Sequence, residues 1–323
     1  MSRIYEALQK AESERKLERR EPEVRLPEHT VSTATSAAAA VAEPEDAVLS
    51  PDRFTEASLV EPFAEPSPRR VGGESLDLSK VVVRPWTPSM EQLPSLLERG
   101  PAVEQFRSLR SRIFELRDIS PTLKTILVSS GLPQEGKSFV STNLALSLAR
   151  HKNTKVLLID GDMRRYTLHQ ILGCDSHPGL ADYLAGKATV LEVMQRPEAL
   201  QAVGKGGTPI LPNLTFIAGG NGGDKAADLS GSSRFGELIR MVAPYFDWII
   251  VDSSPVLPVS DAVNLARSCD GVLLVARGGV TKFPVAQRAQ SELKAANVLG
   301  FVLNAVQDTP EVGSYYGYDA AKK

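Results

Sequence analysis

Residues 125–138 read TILVSSGLPQEGKS, an apolar run followed by a glycine-containing loop that ends in lysine and serine. The segment from Gly131 to Ser138 matches the pattern GxxxxGK[ST], and it lies between a predicted strand and a predicted helix, as that pattern requires. Glycines let backbone N–H groups turn inward around phosphate oxygens, and the next helix presents its positive N-terminus to them. The stretch therefore predicts a phosphate-binding P-loop.

The residue types in this loop predict how it would hold a nucleotide. Lys137 should reach the β- and γ-phosphates, and the hydroxyl of Ser138 should ligate Mg²⁺. We therefore expect Mg-ATP as the ligand. The residues expected to contact ATP here are Gly131, Gln134, Glu135, Gly136, Lys137, Ser138 and Phe139.

Short apolar runs alternate with helical patterns around the loop. The runs are continuously apolar, which is typical of strands covered on both faces and therefore of a mostly parallel sheet. We predict an α/β P-loop NTPase fold, with a doubly wound sheet and helices on both faces. Strands are predicted over 125–129, 156–160, 214–218, 248–252, 272–276 and 300–304, and helices over 139–150, 233–244, 260–267 and 284–297. A further helix begins at Pro101, with Phe106, Leu109, Ile113 and Leu116 on one face.

Carboxylates follow two of the predicted strands. Asp160 ends one apolar strand and is followed by Asp162, and Asp252 ends another. Because ligands of open parallel sheets bind at the carboxyl ends of strands, all three can approach the P-loop. Mg²⁺ is held by one or two carboxylates, which leaves another carboxylate to accept a proton. We predict catalytic roles for Lys137, Asp160, Asp162 and Asp252, and Mg²⁺ ligation by Ser138, Asp160 and Asp252.

Composition excludes several classes of protein. The chain has 323 residues and a net charge of −2, which argues against wholesale binding to nucleic acid. Its 2 cysteines and 4 histidines show no metal-ligand spacing, so a zinc site or a disulfide framework is not expected. No signal peptide is recognisable, and no stretch approaches the ~18 apolar residues of a membrane span. We expect a cytoplasmic protein.

The ends of the chain differ from its centre. Residues 1–20 predict a short amphipathic helix, for which docking to a partner and simple terminal fraying are equally open. Residues 21–100 are rich in Pro, Ala and Glu and predict a disordered linker, most strongly up to about residue 75. The P-loop domain is expected over 101–306, followed by a flexible, tyrosine-containing tail over 307–323.

Taken together, the motifs resemble those of the bacterial tyrosine kinases of capsule and exopolysaccharide assembly. The family's second motif, Asp-x-Asp-x-Arg, is matched within VLLIDGDMRR, and its third within IIVDSSPVLPVSDA. Its ExxRxxR helix motif and its C-terminal tyrosine cluster are also matched. The opening MSRIYEALQKAE looks like the N-terminus of the exosortase-associated members. The residues concerned are Asp160, Asp162, Arg164, Asp252, Glu104, Arg107, Arg110, Tyr315, Tyr316 and Tyr318.

The resemblance implies an autokinase that transfers the γ-phosphate of ATP to tail tyrosines of a neighbouring copy and so regulates polysaccharide polymerisation or export. It implies Asp162 as the base, Arg164 as a nucleotide contact, and ring-like self-association through Glu104, Arg107 and Arg110. The other implied partner is an inner-membrane chain-length regulator, which would activate the kinase and recruit it peripherally. Autophosphorylation is implied at Tyr315, Tyr316 and Tyr318.

Besides a tyrosine cluster of only three members in the tail, two departures from the family leave alternatives open. Ser254 stands where the family usually has proline, and residues 219–229 lack its usual Asn-Pro-x-Glu-Leu-Leu sequence. A non-catalytic ATP-binding regulator of an export complex is one alternative. A switch ATPase of the ParA and MinD type is another, although Leu132 replaces the extra lysine of that group. Asn304 resembles a base-recognition position, but a buried capping role is equally open.

Overall fold

The computed structural model describes residues 76–151, 153–198 and 213–306. The predicted N-terminal helix, the first part of the predicted linker and the predicted tail lie outside the described residues. Within them, the strands form a sheet of order β1-β4-β5-β3-β6-β2-β7-β8. They are β1 (Val82–Arg84), β2 (Thr125–Ser130), β3 (Val156–Asp160), β4 (Met194–Pro197), β5 (Leu214–Ile217), β6 (Trp248–Asp252), β7 (Gly271–Arg277) and β8 (Val298–Asn304).

Helices follow most of the strands. They are α1 (Pro101–Ile119), α2 (Lys137–Ala149), α3 (Leu168–Leu172), α4 (Leu180–Leu184), α5 (Val190–Val193), α6 (Ala226–Gly231), α7 (Ser233–Val242), α8 (Asp261–Ala266) and α9 (Phe283–Glu292). Short 3₁₀ turns occur at Leu78–Lys80, Pro94–Leu96, Gly223–Lys225 and Ala243–Tyr245. The strands and helices predicted between residues 101 and 304 are all present, with ends that differ by up to five residues.

The sheet is buried on both faces, as the continuous apolar runs predicted. Alternate residues of β3 enter two separate cores, with Leu157 in one and Leu158 in the other. Ile249 and Ile250 of β6 divide in the same way. All neighbouring strands pair in parallel except β4 and β5, which are antiparallel. This confirms a mostly parallel, doubly wound α/β fold.

The predicted linker ends earlier than residue 100, and this boundary was wrong. The segment before α1 contributes edge strand β1, and Trp86, Leu93 and Leu96 are buried. The ring of Trp86 packs edge-on against Phe216 of β5, with centroids 6.1 Å apart. β1 is only three residues long and is exposed, so it produces no strand periodicity in the sequence. The prediction of a disordered linker therefore followed the proline content of this segment.

Strand order explains where the site lies. β6 lies between β2 and β3, so the P-loop that follows β2 adjoins the ends of both acidic strands. Asp160 and Asp252 are register partners at those ends. Residues that are 92 positions apart in sequence therefore come to lie side by side at one edge of the sheet, where ligands of this fold class bind.

Candidate functional site

The P-loop connects β2 to α2 and has a tightly turned backbone. Gln134 and Gly136 adopt positive φ angles of 64° and 95°. A Cβ atom at Gly136 would collide with Nδ2 of Asn304, so glycine is required here both for conformation and for space. The same Nδ2 donates to the carbonyl oxygen of Glu135 at 3.0 Å. Asn304 therefore fastens the end of β8 to the P-loop.

The carboxylate of Glu135 points into the loop itself. Its Oε2 accepts from the backbone N–H of Leu132 at 2.8 Å, and its Oε1 accepts from the hydroxyl of Thr281. The side chain is buried, and it ties the loop to the segment after β7. Both oxygens of the Glu135 side chain therefore stabilise the loop itself. Its backbone N–H remains as the group that could make the predicted contact with the nucleotide.

Lys137 begins α2 with its ammonium group among carboxylates. Its Nζ lies 3.1 Å from Oδ2 of Asp162 and 3.3 Å from Oγ of Ser138. Burial opposes the charge of Lys137, but Asp252, Asp162 and Asp160 outweigh burial and raise its pKa. The lysine is therefore firmly protonated, as a group that meets phosphate must be.

Ser138 and Asp252 form the second part of the site. The Ser138 hydroxyl donates to Oδ2 of Asp252 at 2.7 Å. The other oxygen, Oδ1, is buried and has no hydrogen-bond partner among the described residues. An unsatisfied buried carboxylate oxygen beside a hydroxyl is a donor set that suits Mg²⁺, which prefers hard oxygen ligands and keeps several waters. The residues present therefore fit the predicted metal.

Asp160 lies beside Asp252 in the same buried environment. Its Oδ1 accepts from the N–H of Asp162 at 3.2 Å, and its Oδ2 accepts from the N–H of Leu168 at 3.1 Å. Burial first, and repulsion by Asp252 second, raise the pKa of Asp160 well above its ordinary value. A cation at this position would relieve that repulsion and favour the ionised carboxylate.

Asp162 connects this acidic pair to the P-loop. One of its oxygens accepts from the N–H of Arg165 at 3.0 Å, while the other pairs with Lys137. Its side chain is only 5% exposed. The structure therefore brings together Lys137, Ser138, Asp160, Asp162 and Asp252. In the described residues no group of three or more His, Cys, Asp or Glu is arranged to hold a metal ion by itself.

Other predicted contacts have different surroundings. Arg164 forms an ion pair with the buried Asp261 of α8, with Nε 2.7 Å from Oδ2. The Phe139 ring packs against Phe106 of α1, with centroids 5.6 Å apart. Sequence reasoning missed Asp261, and it also missed Thr281. Asp261 lies at the end of the quoted stretch IIVDSSPVLPVSDA, of which only Asp252 was given a role, and Thr281 lies in no motif. Each meets its partner only through the fold.

The departures from the family pattern lie close to the site. Ser254 is buried, and its Oγ has no hydrogen-bond partner among the described residues. Gly219 is packed so closely that a Cβ atom would lie 2.6 Å from Cβ of Tyr166 and 3.3 Å from Cγ of Asp160. The segment 219–229, which differs from the family pattern, therefore begins next to Asp160 at the end of β3.

The ExxRxxR residues lie on α1. Glu104 and Arg107 pair with each other, whereas Arg110 donates to the carbonyl oxygen of Ser147 at 2.8 Å. The predicted phosphorylation sites, Tyr315, Tyr316 and Tyr318, lie outside the described residues. In the part of the chain that the structure describes, no helix is long and apolar enough to span a bilayer.

No protein-family model matches the chain. Individual proteins of known function and known structure do match it. The chain is 33% identical over 209 residues to the tyrosine-protein kinase ptk of Acinetobacter johnsonii. That match covers 64% of this chain but only 26% of the relative. The chain thus spans about a quarter of the length of that relative.

A second relative is of similar length to this chain. The tyrosine-protein kinase YwqD of Bacillus subtilis is 31% identical over 223 residues, which cover 68% of this chain and 86% of YwqD. Among solved structures, the kinase domain of the Escherichia coli tyrosine kinase ETK matches with a TM-score of 0.55 and 31% identity. That match covers 64% of this chain and 78% of the ETK domain.

Proposed function

This chain belongs to the family of bacterial tyrosine kinases, and we propose that it is an ATP-dependent protein-tyrosine autokinase. The observation that carries the proposal is the position of Asp162, whose carboxylate lies 3.1 Å from the P-loop lysine, Lys137. A carboxylate beside the group that holds the γ-phosphate is placed to accept a proton from an attacking hydroxyl.

The proposed step is an in-line phosphoryl transfer. The tyrosine oxygen forms a bond to the γ-phosphorus, the bond from that phosphorus to the β–γ bridging oxygen breaks, and ADP leaves. The phenolic proton passes to Asp162. Lys137 and the P-loop N–H groups stabilise the charge on the phosphoryl oxygens, and such positioning and electrostatic stabilisation supply most of the catalysis in this reaction class.

Ser138 and Asp252 would hold Mg²⁺, and Asp160 would support it as the neighbouring carboxylate. Bound Mg²⁺ supplies neutralisation of the phosphate charge. The bonds that Asp160 accepts from two backbone N–H groups fix its carboxylate, and its backbone is the register partner of Asp252. The pair thereby confines negative charge to a small buried volume in which a divalent cation is strongly favoured.

The physiological substrates are proposed to be Tyr315, Tyr316 and Tyr318 of a neighbouring copy. Self-association through Glu104, Arg107 and Arg110 would bring that tail to the site. Each phosphate would add up to about two negative charges and separate the copies by repulsion. The family also suggests activation by an inner-membrane chain-length regulator, peripheral recruitment to the membrane's cytoplasmic face, and control of polysaccharide polymerisation or export.

The test is phosphotyrosine mapping by mass spectrometry after incubating the full chain with Mg-ATP. Lys137→Met and Asp162→Asn serve as inactive controls. A second sample contains the cytoplasmic segment of the membrane partner, so that a need for activation is covered. Nucleotide binding is measured in parallel by calorimetry, because transfer and binding distinguish the candidate functions.

Phosphate on the tail tyrosines of the native chain, absent from both variants, would establish the autokinase. ATP binding without phosphotyrosine in either sample would overturn it. In that case a switch ATPase would release inorganic phosphate, whereas a non-catalytic nucleotide-binding regulator would not.

A further inference from the structure

A second polar cavity lies away from the P-loop, between α1, the C-terminal end of α2 and the 3₁₀ turn Pro94–Leu96. Its volume is about 280 Å³. Lys137 and Arg150 stand at opposite ends of α2, which at 1.5 Å per residue separates the two sites by about 20 Å. The residues that line the cavity are Ser95, Val103, Arg107, Arg110, Ser147, Arg150 and His151.

Three arginines converge on this cavity and are held in place by backbone carbonyl groups. Arg110 donates through Nη1 to the carbonyl oxygen of Ser147 at 2.8 Å. Arg150 donates through Nη1 to the carbonyl oxygens of Ser95 and Leu97, at 2.6 and 2.8 Å. A guanidinium group has five N–H donors, so each arginine retains donors beyond those used in these bonds.

The positive charge of the cavity is only partly compensated, since Glu104 acts on Arg107 and Arg110 and Glu98 acts on Arg150. Glu104 pairs with Arg107, but among the described residues neither Arg110 nor Arg150 lies within 4 Å of a carboxylate. Burial first, and repulsion between the arginines second, lower the pKa of Arg110 and of Arg150. Holding like charges together is unfavourable by itself, and an anion between them would reverse that effect.

A hydroxyl group in the cavity wall also lacks a partner. Ser95 is 3% exposed, and its Oγ makes no hydrogen bond with the described residues. Buried polar groups are normally satisfied, and exceptions call for an explanation such as a missing ligand. This observation is independent of the arginine charges, and an acceptor bound in the cavity that Ser95 lines would satisfy the hydroxyl.

We propose that this cavity is a binding site for a phosphomonoester dianion. The planar, positively charged guanidinium group of arginine can donate two parallel hydrogen bonds to phosphate oxygens. The Ser95 hydroxyl would donate to a further oxygen. Ligand pockets usually enclose about 300–1,000 Å³, so this cavity suits a small group such as a phosphotyrosine side chain or free phosphate. The proposal goes beyond the kinase assignment and does not depend on phosphoryl transfer by this chain. It gives Arg107 and Arg110 a second role beside the proposed self-association.

A simpler explanation is that the arginines only cap the C-terminal carbonyl groups of α2. Cations are indeed favoured at helix C-termini, and the bond from Arg110 to Ser147 fits that role. Capping uses one or two N–H donors of each arginine, however, and leaves Ser95 without a partner. Arg107 is held by Glu104 and by the carbonyl oxygen of Glu98, and at this position it repels both other arginines, which capping does not relieve.

Calorimetric titration of the full chain tests the proposal. The probes are O-phosphotyrosine, inorganic phosphate and unphosphorylated tyrosine, each added to protein saturated with Mg-ADP so that the P-loop is occupied. The same titrations in Lys137→Met remove any signal from phosphate at the P-loop. The variants are Ser95→Ala and Arg110→Gln, with Arg112→Gln as control, because Arg112 is an exposed arginine of the same helix.

We expect saturable binding of a phosphorylated probe that weakens about tenfold or more in Arg110→Gln and severalfold in Ser95→Ala. Arg112→Gln should bind like the native chain. Tighter binding of phosphotyrosine than of phosphate would identify a phosphoprotein as the source, and equal binding would identify free phosphate.

The proposal is overturned if neither phosphorylated probe binds, or if binding is unchanged in Ser95→Ala and Arg110→Gln. Equal binding of tyrosine would overturn it as well. Circular dichroism checks folding of each variant. Because Arg110 also bonds to Ser147, Ser95→Ala and Arg110→Lys keep the test decisive if Arg110→Gln does not fold.

Discussion

Lys137 and Asp162 are paired with each other, with Nζ 3.1 Å from Oδ2. The lysine is predicted to bind phosphate and the carboxylate to accept a proton. Each therefore neutralises the charge of the other in a buried position. We expect phosphate bound at the P-loop to compete with Asp162 for Lys137, which would leave the carboxylate free to accept the proton.

The first prediction concerns Asp162→Asn. The amide cannot accept the phenolic proton, so phosphotyrosine formation should fall by about 10²- to 10⁴-fold, the usual contribution of a general base. ATP affinity should change by less than about threefold, because Lys137 loses a competing partner but keeps its charge. Single-turnover assays and calorimetry measure the two quantities.

The matched control for this prediction is Asp118→Asn, which removes an exposed carboxylate on α1. It should behave like the native chain in both assays. If Asp162→Asn instead weakens ATP binding strongly and leaves single-turnover transfer intact, Asp162 serves the nucleotide site and another group takes the proton.

The second prediction concerns the repulsion between Asp160 and Asp252. The pKa of Asp160 is raised in the folded state by burial and by Asp252. Its contribution to stability is therefore complete below the unfolded pKa of about 3.9 and is lost as pH rises through the raised folded-state value. Without nucleotide or Mg²⁺, the melting temperature should consequently fall as pH increases.

Asp252→Asn removes this repulsion and should flatten the dependence. At pH 8 its melting temperature should exceed that of the native chain by about 2–4 °C, the shift expected for about 1 kcal/mol in a domain of this size. Differential scanning fluorimetry in EDTA from pH 4.5 to 8.5 measures both curves, with Asp118→Asn as the control. Parallel curves for Asp252→Asn and the native chain would show that the two carboxyls do not interact.

Sequence patterns were sufficient for the central fold and for the residues that gather at its edge. Strands such as β3 and β6 are buried on both faces and so read as unbroken apolar runs, each ending in aspartate. The register that places Asp160 opposite Asp252 follows from parallel pairing of two such strands. The edge strand β1 and its neighbour β4 lack such runs, since β1 is three residues long and β4 reads MQRP, and they could not be predicted.

Side-chain partners from distant segments were beyond the reach of motif reading. Glu135 bonds to Thr281, 146 residues away, and Arg164 to Asp261, 97 residues away. A motif assigns a residue to a loop, whereas the direction of its side chain depends on what the fold packs against that loop. Glu135 was accordingly assigned to ATP, while its carboxylate bonds within the loop.

The third prediction separates backbone strain from crowding in the P-loop. Gly136 has φ 95°, and a Cβ atom there would collide with Nδ2 of Asn304. Gly136→Ala should therefore destabilise the protein by about 1–3 kcal/mol and weaken ATP binding at least about tenfold. Denaturant unfolding and calorimetry measure the two effects.

The matched control is Gly279→Ala. Gly279 has φ 69°, but a Cβ atom there meets nothing within 4 Å. This variant should cost only the backbone strain and leave ATP binding unchanged. Equal loss of ATP affinity in both variants would show that backbone strain near the carboxyl ends of the strands is transmitted to the nucleotide site. The collision with Asn304 would then not be the cause of the weaker binding.

The fourth prediction decides between two roles for Arg164. Its Nε lies 2.7 Å from Oδ2 of Asp261, whose side chain is 1% exposed, so removing the arginine leaves a buried carboxylate without its counter-charge. Arg164→Met should lower the free energy of unfolding by about 1–3 kcal/mol, a range discounted because Arg164 itself is partly exposed. Arg164→Met combined with Asp261→Asn should recover at least half of that loss, because the buried charge is then gone.

ATP affinity should stay within about threefold of the native value in both variants, as expected for a structural ion pair. A tenfold loss of affinity in Arg164→Met that the second substitution does not restore would instead support the nucleotide contact predicted from the Asp-x-Asp-x-Arg motif.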